Sequence, residues 1–269
     1  MSTPLCFQNS EHALCYNQNS SLQYQWGKSL IDTYTEIIAV SHKIMDIGCG
    51  DGKITANILA KVAPNSQIIG LDLSLSMINL AIEKYSLNHK NISFMVDNVE
   101  NIVFEHEFDT IFSCCCLQWL QNQRSALKKI AHSMISGGNL FIVIPGKTPN
   151  NIFPLGKITA ASVKWNHYFI NFVHPIRSYY TKEEYTNILL DAGLIPKKIE
   201  LVNNETIFDI DKLRDWIKPI CSYYEYLPPD LKEEFLNDIV DQLVKSYPTN
   251  NQNQIILSFV KLEVHAVKN

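Results

Sequence analysis

The chain has 269 residues, 46% hydrophobic and 19% charged, which suits one large domain with a decorated core, or a core plus a small lid. Its formal net charge is −4 with acids and bases interspersed, and no stripe of Lys and Arg suggests a nucleic-acid groove. Seven cysteines, an odd number with three of them adjacent, read as buried thiols in a reducing compartment rather than a disulfide framework.

Met1 to Gln8 lacks both the basic start and the apolar core of a signal peptide. No window approaches eighteen apolar residues, so a cytosolic protein without a membrane span is expected. Apolar strand-like runs then alternate with amphipathic stretches. Lys43 to Gly48 reads as a first strand and Lys53 to Lys61 as the helix behind it. Gln67 to Asp72 is a second strand. Ser76 to Tyr85 follows as a helix, with Met77, Leu80, Ala81 and Lys84 spaced three and four apart. Asn91 to Asp97 supplies a third strand. Phe108 to Cys115 supplies a fourth, nearly all apolar as in a sheet covered on both faces. Cys114, Cys115 and Cys116 have neither CxxC spacing nor histidines nearby, so no metal site is expected. Arg124 to Met134 reads as a helix stopped by Gly137-Gly138, and Asn139 to Ile144 as a fifth strand. Such alternation implies a parallel α/β sheet with right-handed crossovers.

After Gly146 the rhythm breaks into a segment rich in aromatics: Trp165, Tyr168, Phe169, Phe172, Tyr179 and Tyr180. It reads as an insertion near the carboxyl ends of the strands. Helical pattern resumes over Lys182 to Leu190, with a further strand from Lys197 to Val202. Helical segments near Asp211 to Lys218 and Asp230 to Tyr247 follow, and Gln254 to Val267 closes the chain as an alternating strand. The expected organisation is a single domain over 1–269. Its parts are an N-terminal helical segment 1–34, a nucleotide-binding half 35–146, a cap insertion 147–180, and a C-terminal half 181–269 with the closing strand.

The turn between the first strand and helix carries the chemistry. Gly48-Cys49-Gly50-Asp51-Gly52 is GxGxG, and glycines there let the backbone turn tightly and approach a ligand. Asp72 ends the second strand twenty-two residues beyond Gly50, about where a nucleotide-site acid reaches ribose hydroxyls. The third dinucleotide glycine is replaced by Lys53, and Asp46 and Asp51 flank the turn. Acids there repel a pyrophosphate and attract an ammonium or sulfonium, which favours a zwitterionic cofactor with a cationic end and disfavours NAD. Two milder readings stand beside this one: Asp72 as a cap of the helix starting near Ser74, and Asp97 as an ordinary turn residue. Cys49 reads as a small filler under the turn.

Asp46-Ile47-Gly48-Cys49-Gly50-Asp51-Gly52, Asp72 and Val96-Asp97-Asn98-Val99 together resemble class I S-adenosylmethionine-dependent methyltransferases over roughly Lys43 to Ile144. The resemblance implies a Rossmann-like fold, with a mostly parallel seven-stranded sheet whose last strand is antiparallel, plus a helical cap. It implies S-adenosyl-L-methionine as cofactor. Asp46, Gly48, Cys49 and Gly50 would line the methionine part and Asp72 the ribose. Asp97 and Asn98 would lie at the adenine edge, Leu73 and Val99 on its faces, and the Ser113 backbone beside the methionine.

Two further segments narrow the resemblance. Asn19-Ser20-Ser21-Leu22-Gln23 and Leu117-Gln118-Trp119, with Lys164-Trp165-Asn166-His167-Tyr168 and His174-Pro175, resemble the juvenile-hormone-acid, trans-aconitate and malonyl-acyl-carrier-protein carboxyl O-methyltransferases. That group places a glutamine of the leading helix and a tryptophan after strand four on the substrate carboxylate, which implies roles for Gln23 and Trp119. Where the juvenile-hormone-acid type commonly has histidine before the tryptophan, this chain has Gln118. A carboxylate is already an adequate nucleophile, its pKa being roughly 4 to 5, so positioning and water exclusion matter more than a general base. Trp165 and Tyr168 are candidate substrate walls. His167, His174 and Arg177 are tempting carboxylate contacts, with a satisfied local role as the first reading of each; a second carboxylate on the substrate would raise the case for Arg177. The expected partner is a small-molecule carboxylate, with an acyl-carrier protein as alternative carrier; no nucleic acid or membrane is expected, and a monomer is. The rivals are methyl transfer to carbon, nitrogen or malonyl-acyl-carrier protein, and a non-catalytic nucleotide-binding domain.

Overall fold

The computed structural model describes residues 9–148, 155–175 and 177–269. The expectations for Met1 to Gln8, and for part of the 147–180 insertion, therefore lie outside the described residues.

A single seven-stranded sheet organises the chain: β1 Lys43–Ile47, β2 Gln67–Asp72, β3 Ile92–Val96, β4 Phe108–Cys114, β5 Met134–Pro145, β6 Leu194–Asp209 and β7 Gln254–Lys268. Their order across the sheet is β3-β2-β1-β4-β5-β7-β6. The β1–β2, β1–β4, β2–β3 and β4–β5 pairs are parallel, and β7 runs antiparallel to β5. The fold expected from the sequence, an α/β Rossmann-like sheet with an antiparallel closing strand, is the one observed. Ile44, Met45, Ile47, Ile111, Phe112 and Ile142 are fully buried, as strands covered on both faces require. From β1 the strand order runs one way to β2 and β3 and the other way to β4 and β5. That reversal falls at the carboxyl ends of β1 and β4, where open α/β sheets bind ligands.

Three elements depart from expectation. The helix read over Lys53 to Lys61 contains a π-helical turn at Thr55–Leu59 before an α-helical end at Ala60–Val62, and such turns favour functional sites. Gly137-Gly138 does not merely stop the preceding helix, which spans Gln123–Ser133. Both glycines lie inside β5, where a Cβ on Gly138 would come within 3.0 Å of the Ile135 carbonyl oxygen and 3.1 Å of that of Phe108. Close backbone approach is the reason for glycine there. β6 is far longer than Lys197 to Val202, because its neighbour β7 satisfies the backbone through the polar Asn203-Asn204 stretch.

The chain divides into two compact units. One comprises Met1–Ser21, Thr148–Pro175 and Asn203–Phe259; the other comprises Leu22–Lys147, Ile176–Val202 and Val260–Asn269. The second holds β1 to β5. In the first, the buried Trp165 indole donates to the Asp238 carboxylate at 2.7 Å and meets the Phe235 ring edge-on at 5.1 Å. Phe208, Trp216 and Phe259 form another ring cluster there. Among the described residues no helix is long and apolar enough to cross a membrane.

Candidate active site

β1 delivers the chain into a turn whose three glycines all lie in the left-handed region, Gly48 at φ +71°, Gly50 at +55° and Gly52 at +74°. Gly48 is the most constrained: a Cβ there would stand 2.3 Å from both Cβ and Sγ of Cys116. Its lack of a side chain lets the segment after β4 pass directly against the turn. The Gly48 and Cys49 amides both donate to the Leu71 carbonyl, at 2.7 and 3.0 Å, stitching the turn to the end of β2.

Asp72, half-buried at that same end, accepts the Gly50 amide at 2.9 Å on one oxygen and the Ser74 amide at 2.8 Å on the other. Burial pushes its carboxyl up, and these backbone hydrogen bonds oppose that shift. An ionised carboxylate has about four lone-pair sites, so Asp72 keeps acceptor capacity for a ligand hydroxyl beyond its backbone hydrogen bonds. The cap of the following helix is Ser74, whose Oγ accepts the Met77 amide. Asp72 shapes the approach to that helix without capping it.

Asp97 and Asn98 follow β3, both half-buried. The Asp97 amide donates to the Asp72 carbonyl at 3.1 Å, which holds the two acid-bearing turns together. Its carboxylate accepts the Asn98 amide at 2.7 Å, and the Asn98 side chain accepts that of Glu100. Leu73 is half-buried; Val99, only 4% exposed, packs into the core. Cys49 is buried, and a Cβ on Gly70 would meet its Sγ at 3.0 Å. Burial drives the Cys49 thiol well up, which makes it an inert filler. The buried Ser113 hydroxyl donates to the Ile47 carbonyl at 2.9 Å.

The acids flanking the turn behave differently from the charge argument made on sequence. Asp46, 2% exposed, accepts the Thr55 hydroxyl at 2.6 Å, and burial raises its carboxyl to about 7, against which that bond works. At neutral pH it is therefore only partly ionised. Asp51 is also buried and accepts the Lys53 amide at 3.1 Å. Partial protonation of Asp46 weakens its own attraction for a cation.

On the far side of β4 the chain turns at Cys115, which holds φ +53°, into a 3-10 turn at Leu117–Trp119. The Gln118 side-chain Nε2 donates to the Cys115 carbonyl at 2.7 Å and braces that conformation. Trp119 is half-buried with the Arg177 guanidinium carbon 4.0 Å from its ring centroid. Gln23, on helix Ser21–Thr33, has its carbonyl hydrogen-bonded by Cys114 Sγ at 3.4 Å, which ties that helix to the end of β4. Its side-chain Oε1 is buried with no hydrogen-bond partner among the described residues. Gln23 and Trp119 thus share the unit of the glycine turn, whereas Trp165 and Tyr168 belong to the other unit. Trp165 is consumed by its own core, and Tyr168, 37% exposed, leans on His167 and Trp165. Sequence reasoning missed Thr55 as the partner of Asp46 and Arg177 as the partner of Trp119; neither lies in a motif that points to it.

Residues 44–138 match a family model described as "Methyltransferase domain". Over 94% of the chain and 90% of the relative, the sequence is 26% identical to juvenile hormone acid O-methyltransferase of Drosophila melanogaster. It is 32% identical to malonyl-[acyl-carrier protein] O-methyltransferase of Bacillus cereus over 48% of each chain. The fold also matches phosphoethanolamine N-methyltransferase 2 of Haemonchus contortus, solved with S-adenosyl-L-methionine. The TM-score is 0.63 at 16% identity, covering 97% of this chain and 57% of the other.

Residues 44–138 of this chain are a methyltransferase domain.

The residues present fit S-adenosylmethionine, the group bound in that Haemonchus contortus structure. The bare backbone of the Gly48 turn could lie beside a methionine part, and the acceptor capacity left on Asp72 could take ribose hydroxyls. No metal-holding group of three or more His, Cys, Asp or Glu occurs among the described residues.

Proposed function

We propose that this methyltransferase esterifies the carboxylate of a small organic or acyl acid. The observation that carries the reading is the Gln23 amide: its buried Oε1 has no partner among the described residues, and its helix is tied to the strand that leads into Trp119. A buried amide left without a partner costs stability unless a ligand completes it. Amide oxygen and nitrogen are interchangeable by rotation, so Gln23 can offer NH2 to an incoming carboxylate while the Trp119 indole offers its N–H. The acceptors named for the two relatives above, an acid and a malonyl group, support the same chemistry.

In this reading the turn at Gly48, Cys49 and Gly50, with Asp46 beneath it and the Ser113 backbone alongside, holds the methionine part. Asp72 takes the ribose hydroxyls. Asp97 and Asn98 meet the adenine edge, between Leu73 and Val99. When bound, S-adenosylmethionine supplies an electrophilic methyl on a sulfonium. Gln23 and Trp119 orient one carboxylate oxygen towards it, and neither adds a charge. No base is required, because the acceptor arrives ionised at neutral pH. Rate enhancement then comes from proximity and alignment.

Tritium transfer from methyl-labelled S-adenosylmethionine to a panel of free acids and to malonyl-acyl-carrier protein tests the proposal. A base-labile product releasing volatile methanol is expected. Label that survives base would mean transfer to nitrogen or carbon. The carrier-bound malonyl group is the second reading, favoured by the Bacillus cereus relative, and the same panel separates it from free acids.

A further inference from the structure

The acceptor end holds a cation that the esterification reading does not use. Trp119 leaves the 3-10 turn with its amide donating to the Cys116 carbonyl at 3.0 Å. The Arg177 guanidinium lies 4.0 Å from the centre of its ring, well inside the span of about 6 Å over which an aromatic face attracts a cation. The pairing is imposed by the backbone: the Ser178 amide donates to the Gln118 carbonyl at 2.8 Å, which sets residues 177 and 119 side by side. The Arg177 charge also reaches Tyr179. Burial pushes that hydroxyl up, while the guanidinium pulls it the other way. A planar guanidinium stacks on an indole as an ammonium cannot.

We infer that Arg177 is the positioning cation of the acceptor site, stacked on Trp119 so that the indole N–H is aimed and the site selects an ionised acceptor over a neutral one. The inference rests on the esterification reading. A cation on the ring face draws electron density from the indole and strengthens its N–H as a donor. Its charge is poorly screened in a half-buried setting. The methyl donor is itself a sulfonium, so a neutral acceptor would leave two positive groups facing each other. An anionic acceptor between them relieves that repulsion, and a carboxylate carries the required charge at neutral pH.

The test uses the full chain loaded with S-adenosylhomocysteine and labelled with 5-fluorotryptophan, the Trp119 resonance being assigned with Trp119→Phe. The probes are octanoate and its neutral counterpart octanamide. Octanoate should shift the Trp119 signal saturably, and octanamide should bind about tenfold more weakly or worse. Arg177→Met should weaken octanoate by about tenfold, with S-adenosylhomocysteine affinity unchanged within twofold. Arg177→Lys should recover part of the loss. Equal response to both probes, an octanoate affinity in Arg177→Met equal to that of the parent chain, or no saturable shift would each overturn the inference. Should Arg177→Met fail to bind S-adenosylhomocysteine, the preference of the unaltered chain for octanoate over octanamide decides. Failure of the esterification reading shows separately, as tritium that base does not release.

Discussion

The Asp72 carboxylate and the Gly50 amide are joined by a 2.9 Å hydrogen bond across twenty-two residues of chain. The acid that ends β2 and the glycine turn that follows β1 are therefore one mechanical piece. Gly48 and Cys49 reinforce it by donating to the carbonyl of Leu71, the residue before that acid. A ligand that engages either side meets a site already assembled, and a substitution on either side is felt by both.

Asp72→Ala should weaken S-adenosylhomocysteine binding by about 100-fold, the scale of two hydrogen bonds to a charged group. Asp72→Asn, which keeps one oxygen, should lose about tenfold. Titration calorimetry checks both. An alanine variant that binds within threefold of the parent chain would remove Asp72 from the ribose.

Gly48→Ala meets two penalties, a φ of +71° and a Cβ 2.3 Å from Cys116. A destabilisation of about 3 kcal/mol or more is expected, from left-handed strain plus overpacking. Adding Cys116→Gly should return part of it, because the clash goes and the dihedral penalty stays. Cys116→Ala should return less, since the Cys116 Cβ is itself one of the two colliding atoms. Urea denaturation of the three variants distinguishes these outcomes.

Asp46 gives the stability a pH dependence. Its carboxyl lies at about 7 in the folded chain, against an ordinary value of 3.8. Between those values the folded protein holds a proton that the unfolded chain has released, so unfolding becomes easier as pH rises. This contribution is complete below about pH 4 and gone above about pH 7. Between pH 5 and 8 the parent chain should lose about 2–3 kcal/mol more than Asp46→Asn, which carries no titrating group. Parallel slopes in denaturant melts at the two pH values would show that Asp46 does not titrate in this way.

Gln23→Ala combined with Trp119→Phe should lower turnover of the best acid in the panel by about 100-fold, removing two oriented donors. Cofactor affinity should be unchanged, since neither side chain belongs to the glycine turn or to the acid-bearing turns after β2 and β3. A matching loss of S-adenosylhomocysteine binding would contradict that division of labour.

The sheet was legible because its signals are local. β1 to β4 are short apolar runs ended by turn residues, and the third glycine of a dinucleotide site is absent at Lys53. The acid after β2 could be placed by counting residues, and the structure puts its carboxylate on the glycine turn. β6 was read too short because its polar middle satisfies its backbone through a neighbouring strand that no local pattern reveals. Gly137-Gly138 was misread for a like reason: the close approach to Phe108 exists only once β4 and β5 are paired.

The linear order of residues determined the α/β rhythm, the glycine turn and the acids that follow β2 and β3, since periodicity and spacing are properties of neighbours along the chain. Only the tertiary structure decided how those acids are charged and which side chains keep company. It buried Asp46 against Thr55, which raises its carboxyl to about 7, and set Arg177 on the face of Trp119, fifty-eight residues away in sequence. Desolvation and through-space charge depend on what surrounds a group in three dimensions, and residues distant in the chain supply most of it.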